Sequence, residues 1–107
     1  MLTKKDYCDK DTAFALQELG YNPYMFYDDG TPAIHLWYAQ KWLREEKKTG
    51  VFVSGFKNGY TFWVYNLLIG DTLYQGFFDN QTGKKYKSYE EALSEGIKEA
   101  VKILKEK

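Results

Sequence analysis

The sequence contains one cysteine and one histidine, the residue types most often used for nucleophilic and metal chemistry. Cys8 needs a neighbouring base to act as a nucleophile, and His35 is the one imidazole that could serve. The two residues lie on different predicted segments, and their spacing does not predict that they meet. A hydrolase with a Cys8–His35 pair is therefore the last of three functional hypotheses. His35 has no further ligand-type residues at metal spacing, so we predict no metal site and no cofactor.

Adjacent carboxylates occur three times, but none of the pairs resembles a catalytic dyad. Asp28-Asp29 lies in a turn-forming sequence, and Glu45-Glu46 and Glu90-Glu91 lie in predicted helices. Neighbouring side chains on a helix point in different directions, so these carboxylates do not converge as those of a glycosidase must. Phosphate-loop, nucleophile-elbow and dinucleotide patterns are missing from the sequence. We therefore expect a binding protein rather than an enzyme.

Aromatic residues are the unusual part of the composition. Ten Tyr, seven Phe and three Trp occur among 107 residues. Tyr and Trp are enriched at protein interfaces because they supply contact area at little conformational cost. The 15 basic and 15 acidic residues give a net charge of zero. This balance argues against binding to nucleic acid or to membranes, so we expect a protein partner or self-association.

Signals for export or membrane insertion are missing from the sequence as given. Residues 1–6 contain no apolar stretch of the kind found in secretory signals, and no apolar run reaches the length of a membrane span. A single cysteine cannot form an internal disulfide. We therefore expect a cytoplasmic protein.

Two patterns of nucleic-acid-binding domains are matched only in part. Residues 59–65 loosely follow the aromatic strand of RNA-recognition folds, but Asn58 stands where a basic residue belongs. The order helix, three strands, helix over residues 33–105 is that of double-stranded-RNA-binding domains. The last helix opens with Glu90-Glu91, however, and these carboxylates would repel phosphate. Stacking of single-stranded nucleic acid on exposed rings is the second functional hypothesis.

The elements that must position these residues form one predicted domain over residues 1–107. Its class is α+β, with two N-terminal helices, a three-stranded antiparallel meander and a C-terminal helix packed on one sheet face. The α-β-β-β-α core spans residues 33–105. Residues 1–32 add the first helix and an aromatic loop over residues 21–30.

Capping and turn residues predict where the helices begin and end. Gly96 in the last helix is unfavourable for helix formation, and we expect it to permit close approach to the sheet. Ser88 followed by Glu91 is a capping box for that helix. The other predicted helices are 10–19, capped by Asp9 or Asp11 and followed by Gly20, and 33–48, capped by Thr31 and followed by Gly50.

Two predicted hairpin turns set the expected register of the sheet. If Asn58-Gly59 and Gly70-Asp71 are both two-residue turns, Trp63 lies opposite Ser54 on one side and Phe78 on the other. One sheet face is then aliphatic, and we assign it to the core. The other face is aromatic and partly covered, and we expect it to be the binding surface, formed by Phe52, Trp63, Tyr65, Tyr74 and Phe78.

Three short motifs resemble sequences of small uncharacterised proteins carried by phages and prophages of gut bacteria. They are residues 39–45 (Ala-Gln-Lys-Trp-Leu-Arg-Glu), residues 86–93 (Tyr-Lys-Ser-Tyr-Glu-Glu-Ala-Leu) and Leu19-Gly20-Tyr21. The resemblance implies an accessory protein of a mobile element with about this length. It implies no activity, cofactor or site residue.

Overall fold

The computed structural model describes residues 6–57, 61–75 and 85–106, and within them the fold is α+β. Its sheet is antiparallel with the strand order β1-β2-β3. The predicted class, with three helices and a three-stranded antiparallel sheet, is confirmed. In chain order the elements are α1 (Lys10–Glu18), α2 (Leu36–Glu46), β1 (Thr49–Lys57), β2 (Thr61–Ile69), β3 (Thr72–Gln75) and α3 (Tyr89–Lys105).

The first and last helices begin where their capping residues predict. The Asp9 carboxylate accepts a hydrogen bond of 2.8 Å from the backbone N–H of Thr12 at the start of α1. The Ser88 hydroxyl accepts one of 3.1 Å from the N–H of Glu91 at the start of α3. Gly20 follows α1 with a φ of 115°, a conformation that favours glycine. These side chains satisfy N–H groups that the first turn of a helix leaves open.

The second helix is shorter than predicted at both ends. Thr31 is not its cap, because residues 31–35 are extended and pair with other segments instead. His35 is the N-cap, and its Nδ1 accepts a hydrogen bond of 3.1 Å from the N–H of Trp37. At the other end Lys48 adopts a left-handed φ of 52°, and Gly50 already belongs to β1. The helix therefore ends two residues before the predicted position, and Gly50 is not its stop.

The first hairpin has a longer loop than predicted. Lys57 pairs with Thr61, so three residues connect β1 and β2, and Val53 lies opposite Tyr65 rather than Val64. The second turn is correct, because Ile69 pairs with Thr72 around Gly70-Asp71. A slip of one residue in a hairpin changes which side chains share a face of the sheet.

The shifted register exchanges the predicted faces of β2 and β3, whereas Val51 and Val53 of β1 lie on the core side as predicted. Val51, Leu67 and Ile69 are buried with the helices in one core, and Val53 and Tyr65 pack against it. Tyr65 and Trp63 are therefore on the helix side, contrary to the prediction. The outer face instead carries exposed apolar side chains, namely Phe52, Phe56, Leu68 and Leu73. Phe14 of α1 is also exposed.

Helix α3 crosses the sheet at close range, and α2 lies beside its outer strand. Gly96 contacts β1 and β2, which confirms the close approach predicted for this glycine. Gln40 of α2 donates a hydrogen bond of 2.7 Å from Nε2 to the carbonyl of Val51. Helix α1 packs against α3 rather than against the sheet. In the described part of the chain, no helix combines the length and apolarity needed to cross a membrane.

Candidate functional site

Three short segments next to the start of α2 build a framework outside the main sheet. Residues 31–35 run through its middle. On one side the N–H of Cys8 donates to the carbonyl of Ile34 at 2.8 Å. On the other side the N–H of Tyr27 donates to the carbonyl of Thr31 at 2.8 Å, and Asp29 closes the turn by accepting from the N–H of Thr31 at 2.9 Å. These hydrogen bonds therefore hold the loop over residues 21–30 against residues 31–35.

Five aromatic side chains contact one another in series on this framework. The ring centroid of Tyr7 lies 6.3 Å from that of Tyr27 and 5.5 Å from that of His35. His35 in turn lies 5.4 Å from Trp37 and 5.9 Å from Tyr38. All four contacts are edge-to-face, which is a favourable geometry for aromatic pairs. These five residues are called the aromatic patch below.

The outer members of the aromatic patch are unusually open to solvent. Trp37 is 65% exposed and Tyr38 is 57% exposed, although both lie on a helix whose opposite side is fully buried. The cap bond from His35 Nδ1 to the backbone of Trp37 fixes the orientation of the central ring. Neither tryptophan nor tyrosine is needed there for the core, so the patch is available for contacts with another molecule.

The loop over residues 21–30 adds to this exposed area and does not bury its rings. Tyr21 packs edge-on against Trp42 at 5.5 Å and is half-buried. Tyr24, Met25 and Phe26 are more than half exposed. The backbone of this loop pairs with residues 31–33, as the bridge between Phe26 and Pro32 shows. The loop therefore exposes further apolar side chains on the framework.

Of the five residues predicted as the binding surface, the four that the structure describes do not lie on one face of the sheet. Trp63 and Tyr65 are half-buried on the helix side, where the Trp63 ring contacts Tyr89 at 5.8 Å. Phe52 is 50% exposed on the outer face, and Tyr74 is at the margin of the helix side by its pairing with Leu67. Phe78 lies outside the described residues.

A residue from later in the chain takes the place predicted for Phe78. The backbones of Trp63 and Tyr86 exchange two hydrogen bonds of 2.8 Å. Tyr86 therefore pairs with β2 beyond the end of β3. The sequence signal for this pairing is weak, because an isolated bridge has no period to detect.

Cys8 and His35 are close along the framework but differ in surroundings. The pairing of Tyr7 with His35 turns their rings to one side, whereas Cys8 belongs to the core. Burial, reinforced by the neighbouring Asp9 charge, raises the pKa of the Cys8 thiol to about 12. The thiol is therefore protonated at neutral pH, and His35 uses Nδ1 to cap α2. This arrangement provides no activated thiolate.

A cleft of about 860 Å³ adjoins the aromatic patch. It lies between residues 7–10, the turn over residues 27–31 and the start of α3, and it shares Tyr7 and Tyr27 with the patch. A third ring, Tyr86, lies at its α3 side. Its charged lining consists of one lysine, Lys10, and six carboxylates, Asp9, Asp28, Asp29, Glu90, Glu91 and Glu95.

The surroundings of these carboxylates keep the cleft negative. Partial burial opposes ionisation of Asp9, but the hydrogen bond from Thr12 and the charge of Lys98 outweigh it and lower its pKa. The hydrogen bond from Thr31 lowers the pKa of Asp29. Burial and then the charges of nearby groups, Glu95 among them, raise the pKa of Tyr86 to about 12. Asp9 and Asp29 are therefore ionised at neutral pH, and the Tyr86 phenol is not.

The acidic groups are distributed around the cleft rather than gathered at one point. In residues 6–57, 61–75 and 85–106, no three histidine, cysteine or acidic side chains are placed to hold a metal ion. Comparisons with known protein families, curated proteins and solved structures found no match. The aromatic patch and the acidic cleft are therefore interpreted from their own chemistry.

Proposed function

We propose that this chain is a non-enzymatic protein-binding module that acts in the cytoplasm and contacts its partner through the aromatic patch. The observation that carries the proposal is the exposure of Trp37 and Tyr38, whose rings both contact His35. Trp and Tyr are the residue types that most often dominate binding energy at protein interfaces. A phage-type origin rests on the short sequence motifs and belongs to the same proposal.

The rigidity of the patch supports this role. His35 is held by its cap bond, and Tyr7 and Tyr27 lie on backbone segments paired with residues 31–35. Side chains that are already ordered lose little conformational entropy when a partner binds. Binding through the patch therefore loses little free energy to the ordering of its side chains.

Self-association through the outer sheet face is a second candidate. Phe52 and Leu73 are 50% and 54% exposed there, while the three helices pack on the other side. A chain with zero net charge has little long-range repulsion between its copies.

Stacking of single-stranded nucleic acid is less well supported, because the carboxylates of Asp28 and Asp29 lie beside the exposed rings of the patch.

A peptide library distinguishes these surfaces. Peptides selected on the wild-type protein are measured against Trp37→Ala/Tyr38→Ala and, as the matched control, Phe52→Ala/Leu73→Ala. We expect the first variant to weaken binding by at least about tenfold, since each truncated anchor removes on the order of 1–2 kcal/mol. The control should bind as the wild type does. Binding that survives in the first variant and disappears in the control would move the interface to the outer sheet face.

Sedimentation velocity tests the self-association candidate on the same proteins. If copies associate through the outer sheet face, the wild type sediments faster with increasing concentration and Phe52→Ala/Leu73→Ala does not. A wild type that remains monomeric at high concentration would exclude this candidate. Titration with oligothymidine at low salt, followed by Trp fluorescence, tests single-stranded nucleic-acid binding. Unchanged fluorescence would exclude that candidate.

A further inference from the structure

The acidic cleft and the aromatic patch form one continuous surface. Tyr7 and Tyr27 line the cleft and are also members of the patch, with ring centroids 6.3 Å apart. A polypeptide that lies across Trp37 and His35 therefore reaches the cleft through these two rings. The cleft volume of about 860 Å³ is large enough for several side chains.

The charge of the cleft is only partly balanced. Lys98 lies 3.6 Å from Asp9 and 4.0 Å from Glu95, so it neutralises part of this side of the cleft. In the described part of the chain, no lysine, arginine or histidine lies within ion-pair distance of Asp28, Glu90 or Glu91. These carboxylates lie on two different sides of the cleft, which leaves a concave surface with an excess of negative charge.

Tyr86 provides a hydroxyl group at the same cleft. Tyr86 is only 9% exposed, yet it lines the cleft. Its phenol experiences the charges of Glu95 and Glu91, and no group among the described residues forms a hydrogen bond with its hydroxyl. A phenol hydroxyl can accept as well as donate a hydrogen bond, so Tyr86 can bind a ligand group in the cleft that donates one.

The two helix ends at the cleft do not favour an anion. Both α1 and α3 begin there, and open helix N-termini attract anions. Asp9 and Ser88, however, already accept hydrogen bonds from the first turns, and Glu90 and Glu91 place negative charge beside the second one. A bound phosphate would face these carboxylates directly. The cleft therefore selects positive charge.

The form of that positive charge follows from the spread of the acidic groups. A compact metal ion needs ligands that converge, and the described residues contain no such group. Arginine and lysine side chains carry their charge on long stems, which reach separate carboxylates from one extended backbone. Tyr7 and Tyr27 also line the cleft, and tyrosine rings are groups to which guanidinium side chains bind.

We infer that the acidic cleft binds an arginine- or lysine-rich segment of the protein that docks on the aromatic patch. The inference extends the proposed function, on which it rests for the identity of the occupant. Arginine is favoured over lysine, because its planar guanidinium can bind a carboxylate with two hydrogen bonds and stack on a tyrosine ring.

The test measures binding of two fluorescein-labelled peptides by anisotropy at low salt, one of arginine and glycine and one in which leucine replaces glycine. The cleft variant is Glu90→Gln/Glu91→Gln in α3, and the matched control is Glu45→Gln/Glu46→Gln at the far end of α2, which removes the same number of carboxylates. We expect the cleft variant to weaken both peptides by about tenfold and the control to leave them unchanged. Tyr86→Phe should weaken them by about threefold, since it removes the hydroxyl and retains the ring.

The alternatives give different results. Equal weakening by the control variant, or no binding of either peptide at low salt, would overturn the assignment. Displacement of the peptides by spermine at a lower concentration than by free peptide would assign the cleft to a small polyamine instead.

Trp37→Ala/Tyr38→Ala should weaken binding of the leucine-containing peptide only. If it weakens neither, the proposed function fails while the cleft assignment stands. Thermal melts of each variant confirm that it is folded.

Discussion

Gly96 of α3 lies directly against Val51 of β1. A Cβ atom added at Gly96 would be 2.8 Å from Cγ1 of Val51 and 3.1 Å from Cγ of Tyr65. The first distance is shorter than carbon atoms in contact normally reach, and a β-branched side chain has little freedom to move away. The absence of a side chain at Gly96 therefore sets how closely α3 approaches the sheet.

We predict that Gly96→Ala destabilises the protein despite the better helix propensity of alanine. Alanine gains about 1 kcal/mol in a helix interior, whereas overpacking costs about 1–3 kcal/mol, so the expected net loss is about 1 kcal/mol. Urea unfolding measures it. Val51→Ala also destabilises, but the double variant should be more stable than the sum of the single changes predicts, because each change relieves the other. Simple additivity would contradict the proposed contact.

Lys48 offers a site where glycine should stabilise the protein. Its φ of 52° is left-handed, and it follows the end of α2 with its side chain exposed. Lys48→Gly removes the penalty for a Cβ in this conformation, and we expect a gain of about 0.5–1 kcal/mol in unfolding free energy. The matched control is Lys41→Gly in the middle of α2, which should lose about 1 kcal/mol. A loss at both positions would show that Lys48 is not strained.

His35 should contribute to stability through its role as the cap of α2. His35→Ala removes the acceptor for the N–H of Trp37, and we expect a loss of about 1 kcal/mol. His35→Asn retains a side-chain acceptor at the cap and should recover most of that loss. Both substitutions remove the central ring of the aromatic patch. Comparing their stability with their partner binding therefore separates capping from recognition, and equal stability of the two variants would contradict the capping role.

The Cys8 thiol should be unreactive in the folded protein. Burial raises its pKa from the ordinary value of 9.0 to about 12, so the folded state holds the proton over a range where the unfolded state releases it. The stability from the buried neutral thiol is fully present below pH 9.0 and is lost as the pH rises toward 12. Wild-type stability should therefore fall more steeply in this range than that of Cys8→Ala.

Thiol labelling provides the direct measurement for Cys8. A disulfide reagent such as Ellman's reagent should react slowly with the native protein and rapidly in denaturant. Fast labelling of the native state at neutral pH would contradict the burial of the thiol. It would also reopen the hydrolase hypothesis, because it would reveal an accessible thiolate.

The sequence was sufficient to predict the elements in which local signals agree with tertiary packing. Asp9 and Ser88 correctly predict the starts of α1 and α3, because a cap acts on the N–H groups within its own turn. The buried stripe of α3 follows its helical period for the same reason. The α+β class follows from these helices and from the alternating segments between them.

The errors arise where distant segments decide the structure. Thr31-Pro32 is a good helix start by composition, but residues 31–35 pair with Tyr7, Cys8 and Met25, and this pairing delays the helix to Leu36. The hairpin at Asn58-Gly59 has a three-residue rather than a two-residue connection. That single residue moves Trp63 and Tyr65 to the helix side of the sheet, and the predicted aromatic face no longer exists.

The aromatic patch was missed although part of its signal was present. Leu36, Ala39 and Leu43 are the buried positions of α2. Trp37 and Tyr38 are 100° and 200° away from Leu36 around a helix of 3.6 residues per turn, so helical geometry places them outside that stripe. Hydrophobicity alone would assign both residues to the core. Their position on the helix was the better guide.

The hydrogen bond from Gln40 to Val51 affects whether another strand can pair with the edge of β1. Trp63 directs its backbone groups toward Tyr86, and alternation along an antiparallel ladder then points the carbonyl of Val51 away from β2. This carbonyl is on the free edge of β1, where Gln40 occupies it. An incoming strand finds its hydrogen-bonding position already filled. The occupied carbonyl therefore disfavours pairing of another strand at this point of the β1 edge.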